Sequence, residues 1–514
     1  MSGGKSKYRR PHGNRRSKWS RQSKDDNPET ITVSEITSGR LLAWLVLEEY
    51  ERTGRFLTDI FASLDNRHRL SSQERALAVD LASGVVRRRR TIDALLQSQI
   101  SRPRQDVETD LWRLLQLGTY QLVFARTPDH AAVDTTVELA KQLQRSRWTG
   151  FANGVLRNIA RLLVPRSEPP PRTVQQQAEP FRQSVPGQSP GTSDSRDHVR
   201  FAADLVPLSN GEFRRLASDV FPDPQTRLAD YIGEAFSLPN SLTKRWAARF
   251  ELPDLLTACF HSIDPPQVTI RINPLRSSTV DVQQMLSYAG VDVSPGEMLN
   301  ALRIRHASRV DTLPGFADGL WSVQDTSAMK AGFLLNPKPG ERILDLCAAP
   351  GGKSCHLAEL SDNSATIIAC DVNETRLARV TENVDRLGLT SVVPALIQRD
   401  GGNIPGTDFD AALVDVPCSN TGVLSRRPEA RWRFREADLP ELVILQTRLL
   451  LTAFDRVKPG GRIVYSTCSI EPEETTDLIR DVLAAVNGLT LIEQRVYLPG
   501  KLGDGAYQAL LRKA

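Results

Sequence analysis

Apolar residues recur at three- and four-residue spacing through the first third of the chain. The runs "SGRLLAWLVLEEY", "SSQERALAVDLASGVVRR", "DLWRLLQLGTYQLVF", "AAVDTTVELAKQL" and "TGFANGVLRNIARLL" all follow it, and Ser-Ser-Gln-Glu is a helix-start signal. Strand-like alternation is absent there. Residues 32–164 are therefore expected to form an all-α domain of about six or seven helices. Helical spacing resumes near Asp230 with "SLTKRWAARF". It gives way to alternating "VTIRINPLR" and "ALRIRHA" around a helical "DVQQMLSYAG". Residues 201–315 thus read as linker helices and a small α+β unit. From 316 to 514 short apolar strands alternate with helices: "RILDL", "TIIACD", "VVPALIQRD", "AALVDVP" and "RIVYST". A long amphipathic run, "LPELVILQTRLLLTAFDRV", precedes the last of these and is closed by Lys458-Pro-Gly-Gly461. This alternation predicts a doubly wound, largely parallel sheet.

Two segments fall outside these patterns. Residues 165–200 are rich in Pro, Gln, Ser and charge and cannot bury enough apolar surface to order themselves, so a flexible insert is expected. Residues 1–31 are expected to be a disordered basic tail: the first 24 hold nine Lys or Arg and no acid. The net charge of +5 belongs to that tail, because the rest carries 57 basic against 61 acidic residues. A nucleic-acid-attracting arm is the favoured reading of it. It lacks the apolar face of a mitochondrial presequence, and no secretory signal or membrane span is visible. Six cysteines with no C-x-x-C pair argue against a disulfide scaffold and a zinc site, so no metal is expected. Free thiols in a cytoplasmic protein fit best.

In a doubly wound sheet, ligands sit beyond the carboxyl ends of the strands. The first strand runs into Cys347, Ala348, Ala349, Pro350, Gly351, Gly352 and Lys353, a small-residue loop that lets backbone N–H groups approach a ligand. It matches neither the phosphate-loop pattern nor G-x-G-x-x-G. The second strand ends at Asp371, placed to grip ribose hydroxyls or to cap the next helix. The third ends at Asp400, an acceptor for an adenine amino group or a plain turn residue. Loop and acids together suggest an adenosine-containing cofactor, with S-adenosylmethionine the natural candidate.

The fourth and fifth strands end in "DVPCSNTGVL" and "YSTCS", each with a thiol, Cys418 and Cys468. A thiol suits a target carbon that is not nucleophilic by itself, such as cytosine C5, because addition at C6 makes C5 enamine-like. Cys259, Cys355 and Cys370 read as structural thiols.

"DLCAAPGGKS", "DVPCSNTGVL" and "YSTCSIEPEE" resemble the signature segments of the RNA cytosine-C5 methyltransferases of the Sun/Nop2 family. "HAAVDTTVELAK" and "GFANGVLRNIAR" resemble the NusB-like domain of its bacterial 16S rRNA branch. The resemblance implies a multidomain chain: a NusB-like helical RNA-binding domain, the small α+β unit and a Rossmann-like S-adenosylmethionine-dependent methyltransferase domain. It also implies that the loop from Cys347 to Lys353 holds the cofactor with Asp371, Asp400 and Asp415. Cys468 would be the nucleophile, Cys418 would assist product release, and Asp415 would contact the base. Val416, Asn420, Glu471 and Thr475 depart from the family pattern, and Asn420 is expected to tolerate a left-handed backbone.

The RNA target would be a loop or an unstacked nucleotide of 16S rRNA, bound by a monomer. "SRRPEARWRFREADL" offers arginines with Trp432 and Phe434 for phosphate contact and stacking. Two alternatives stay open: the same chemistry on tRNA or another RNA, and a non-catalytic NusB-like RNA-binding regulatory factor.

Overall fold

The computed structural model describes residues 36–65, 70–165, 201–305, 309–399, 401–501 and 503–514. The basic tail, the insert from 166 to 200, and Asp400 lie outside the described residues.

The N-terminal part is helical: α1 (Gly39–Thr53), α2 (Leu57–Asp65), α3 (Ser72–Gln99), α4 (Thr109–Val123), α5 (Asp129–Gln142) and α6 (Thr149–Leu162). Helix α4 is buried on every side from Leu111 to Val123, as a run with little polar face must be. Three of its buried polar groups are matched across the bundle: Arg113 meets Glu51 at 2.7 Å, and Gln116 and Trp112 both donate to Asp93 at 2.7 Å. Ser71 caps α3 by accepting from Glu74 N–H at 3.2 Å. The Glu74 carboxylate accepts from Gly39 N–H at the start of α1 rather than closing back on its own helix.

A short hairpin, β1 (Leu205–Pro207) and β2 (Phe213–Arg215), leads into α7 (Leu228–Ala235), α8 (Asn240–Arg249) and α9 (Leu252–Ile263). Next come β3 (Val268–Ile272), α10 (Thr279–Tyr288), β4 (Asp292–Pro295), β5 (Ala301–Arg305) and β6 (Trp321–Val323). They form an antiparallel sheet in the order β4-β5-β3-β6, backed by α10 over Ile270, Ile272, Leu286 and Trp321. Its fourth strand, β6, comes from beyond residue 315.

The C-terminal part contains α11 (Thr326–Leu335), β7 (Arg342–Leu346), α12 (Gly352–Leu360), β8 (Thr366–Asp371), α13 (Glu374–Leu387), β9 (Val392–Leu396) and β10 (Phe409–Asp415). After these follow the short helix α14 (Ala430–Arg433), α15 (Leu439–Arg456), β11 (Val457–Thr467), α16 (Thr476–Ala485), β12 (Leu489–Tyr497) and β13 (Ala506–Lys513). The seven-stranded sheet runs β12-β13-β11-β10-β7-β8-β9. Strands β7 to β11 are parallel, while β13 joins β11 and β12 joins β13 antiparallel. Alternation divides each strand between two cores. Ala411, Leu413 and Val464 enter one; Ala412, Val414, Ile463 and Tyr465 enter the other. The order reverses between β7 and β10, so their carboxyl ends open a crevice.

Among the described residues no helix is long and apolar enough to cross a membrane, and no cluster of three or more His, Cys, Asp or Glu could hold a metal.

Candidate active site

The loop after β7 leaves the sheet through Cys347, whose φ is +62°, and enters α12 at Gly351, φ +97°. Ala348 N–H is tied to Cys370 O at 2.8 Å, and Asn383 holds Pro350 O at 3.0 Å. A Cβ placed on Gly352 would meet nothing within 4 Å, so the helix start faces open space.

Two carboxylates at neighbouring strand ends are incompletely satisfied. Asp371 is 2% exposed; its Oδ1 accepts from Asn373 N–H at 3.0 Å. Its Oδ2 makes no hydrogen bond and stands 3.3 Å from Arg376. The cap of α13 is Asn373, not Asp371, which removes the helix-cap reading of this acid. Asp345 is wholly buried, with Oδ2 bonded by Ser354 at 2.5 Å and Oδ1 unpartnered. Burial pushes its pKa up to about 7. Asp345 Oδ1, without a partner, and Asp371 Oδ2, with only the Arg376 ion pair, lie by an open glycine loop and fit a ligand carrying hydroxyl and ammonium donors, as S-adenosylmethionine does.

Asp415 ends β10 opposite Ser466 of β11. Lys353 Nζ donates to its Oδ2 at 2.7 Å and Ser466 Oγ to its Oδ1 at 3.0 Å. Burial opposes the charge on Lys353, but the Asp415 carboxylate outweighs it and holds the ammonium above its ordinary pKa. Lys353, grouped by sequence with the cofactor loop, therefore carries its charge toward the thiol end of the site.

The two cysteine loops meet directly. Cys418 Sγ and Cys468 Sγ are 3.1 Å apart, and Cys468 Sγ also lies 3.4 Å from Asn420 Oδ1. Asn420 has φ +61°, the left-handed backbone its residue type tolerates. Gly422 N–H donates to Cys468 O at 2.9 Å, and a Cβ there would stand 2.7 Å from that same oxygen. Glu474 clamps both loops. It accepts from Ser419 N–H at 2.9 Å, from Ser469 Oγ at 2.5 Å, from Gln446 at 2.9 Å, and from Ser419 Oγ. The hydrogen bond between the sulfurs lowers the Cys418 pKa and raises that of Cys468. Such a pair loses its first proton readily and its second with difficulty. The other thiols contrast: burial pushes Cys347, Cys355 and Cys370 up to about 12.

Cys347, Gly352, Lys353, Asp371, Asp415, Cys418 and Cys468 all stand at the carboxyl edge of the sheet, as sequence placed them. The sequence reading missed Glu474, Ser466 and Asp345. Glu474 sits three residues beyond Glu471 in an acidic run, and nothing local says which of these acids turns inward. Glu471, an acid at a usually apolar position, is fully buried but matched by Arg245 at 2.9 Å and Trp246 at 3.0 Å.

The segment after Cys418 is divided, and its Arg431 and Phe434 are buried where a surface was expected. Arg431 is 0% exposed and donates to Arg87 O, Ser237 O, Ser262 O and Leu424 O. Trp432 donates to Val86 O at 2.8 Å, Phe434 is buried, and Arg426 pairs with Asp325 and Asp504. These groups join the catalytic domain to the helices. Three of the segment's five arginines, Arg427, Arg433 and Arg435, are exposed, so the segment is part joint and part open surface.

Residues 332–510 match the family model described as 16S rRNA methyltransferase RsmB/F, and residues 37–161 match the NusB family. The ribosomal RNA small subunit methyltransferase B of Salmonella paratyphi A is 30% identical over 92% of this chain and 98% of its own length. A probable ribosomal RNA small subunit methyltransferase B of Synechocystis is 33% identical over 85% and 87%. The crystal structure of PH0851 shares the fold with a TM-score of 0.66 at 22% identity, over 94% of this chain and all of that one. A glycine loop suited to S-adenosylmethionine, a NusB-type helical domain and full-length relatives converge: the chain belongs to the RsmB/F family of S-adenosylmethionine-dependent small-subunit rRNA methyltransferases.

Proposed function

We propose that the protein methylates C5 of a cytosine in 16S rRNA through a covalent bond from Cys468 to C6, acting as a cytoplasmic monomer on a loop or unstacked nucleotide. The observation that carries this reading is the 3.1 Å approach of Cys418 and Cys468 beside Asp415, at the edge where the cofactor loop lies. Bound S-adenosylmethionine supplies the methyl group. Residues 347–353 and Asp371 would hold it, with Asp400 expected at the adenine.

The protein's own groups divide the remaining work. The pair shares one proton after its first ionisation. The contact favours that proton on Cys468 at rest, so attack requires it to pass to Cys418, which leaves Cys468 the thiolate that adds to C6 and splits one hard step into easier ones. C5 becomes enamine-like and takes the methyl group. Loss of the C5 proton to a base then expels Cys468 as a thiolate. The Cys418 thiol, within hydrogen-bond reach, donates to the departing sulfur and stabilises it. Asp415, fixed through both oxygens by Lys353 and Ser466, presents an acceptor to the base edge. Glu474 keeps the two loops in register.

Bisulfite sequencing of rRNA from cells with and without the gene tests the substrate. One 16S cytosine protected only when the gene is present is expected. Cells carrying Cys468→Ala should lose that protection while the purified variant still binds S-adenosylmethionine. Protection retained with Cys468→Ala would remove this residue from the nucleophile role.

A further inference from the structure

Beside the thiols, the joint between helical and catalytic domains encloses a cavity of about 580 Å³. Cys418 and Asn420 line it from the catalytic loop, Phe56 from the start of α2, and Trp432, Arg433 and Arg435 from the joint. Its volume lies in the range that takes a small organic ligand such as a nucleotide. The Arg433 guanidinium stacks over the Phe56 ring at 4.1 Å, and Arg427 approaches the same ring at 5.6 Å. Both arginines give an N–H to neutral oxygens, Arg433 to Gly54 O and Arg427 to Asn420 Oδ1, which leaves their charge and most of their donors for an anion. The walls are tied across the joint by Trp432 to Val86 O at 2.8 Å and Leu57 N–H to Glu429 at 3.2 Å.

We propose that this cavity holds the nucleotide adjacent to the target cytosine, its base packed against Trp432 and the Phe56–Arg433 stack and its phosphate against the guanidiniums. The proposal rests on the reading of Cys418 and Cys468 as the cytosine site. A cytosine must leave its helix to reach the thiols. Its neighbour on the same strand is then delivered to whatever adjoins Cys418, and this cavity does. Aromatic rings beside arginine planes are the surfaces on which unstacked bases settle, and Arg433 and Arg427 suit the linking phosphate, while Arg435 is paired with Asp438 at 2.8 Å on the same rim. Phe56 belongs to the helical domain, so that domain supplies part of the recognition of the reacting strand.

The test measures methyl transfer to an rRNA fragment containing the methylated cytosine, with each neighbouring nucleotide made abasic in turn. In the wild type, the abasic change on one side should raise KM roughly 5- to 150-fold, the range of a base–aromatic stack. Phe56→Leu should raise KM on the intact RNA to a similar extent with kcat little changed and S-adenosylmethionine binding retained. Its effect should not add to that of the abasic site, and Phe56→Trp should restore KM. Additive effects, or indifference to both neighbours, would overturn the proposal, the latter leaving the cavity to the cytosine itself. A covalent adduct between wild-type protein and the same RNA carrying 5-fluorocytosine checks the underlying reading separately. No adduct defeats that reading; an adduct with additive penalties defeats only the flanking-base site.

Discussion

Among the six cysteines, the contact between Cys418 and Cys468 sets that pair apart, because Cys347 is no more buried than they are. Cys355 and Cys370 pack in the sheet cores with their protons held by desolvation. Cys418 and Cys468 have each other, and a shared proton is what the proposed attacking and departing sulfur would need. Asp345 shows the same physics in a carboxyl. Its folded pKa of about 7 lies above the ordinary 3.8, so across that window the folded protein keeps a proton the unfolded chain has lost. Stability therefore falls as pH rises through it. Asp345→Asn should flatten that fall, read from thermal midpoints between about pH 4.5 and pH 8; an unchanged slope would contradict the buried, protonated acid. Which residues stand at strand ends was legible from periodicity. Which of two thiols holds a proton was not, because that depends on a contact between residues fifty apart in the chain.

At the scale of elements, the parallel core was readable because short apolar strands alternate with helices through this part of the chain. Strands β12 and β13 escaped although "LTLIEQRVY" alternates; they follow the last chemistry-bearing motif and pair antiparallel. The segment around α14 was legible only in part. Arg427, Arg433 and Arg435 are exposed as a charge run should be, yet Arg431 is swallowed by carbonyls of residues 87, 237, 262 and 424. Those acceptors come from distant elements, so no local pattern announces them. Arg431→Met leaves these carbonyls without a donor and should cost about 2–4 kcal/mol in denaturant unfolding. A change below about 0.5 kcal/mol, the usual size of a surface substitution, would show that the joint does not depend on it.

Across the whole molecule, the helical domain, the small sheet and the catalytic sheet are bound through buried guanidiniums. Arg87 and Arg88 of α3 donate to Ser425 O and Pro207 O, and Arg271 of β3 holds Glu359 at 2.7 Å and Gly352 O at 3.0 Å. The cofactor loop is thus braced by the middle unit, and the Cys418 side of the site by the N-terminal helices. This bracing gives the thiol pair a fixed geometry, on which the proposed division of labour rests. The most direct test compares Cys418→Ala and Cys468→Ala, each incubated with S-adenosylmethionine and the rRNA fragment, then denatured and resolved by size. Cys418→Ala should accumulate a protein–RNA adduct because release slows more than attack, and Cys468→Ala should form none. An adduct with Cys468→Ala and none with Cys418→Ala would reverse the roles and contradict the account.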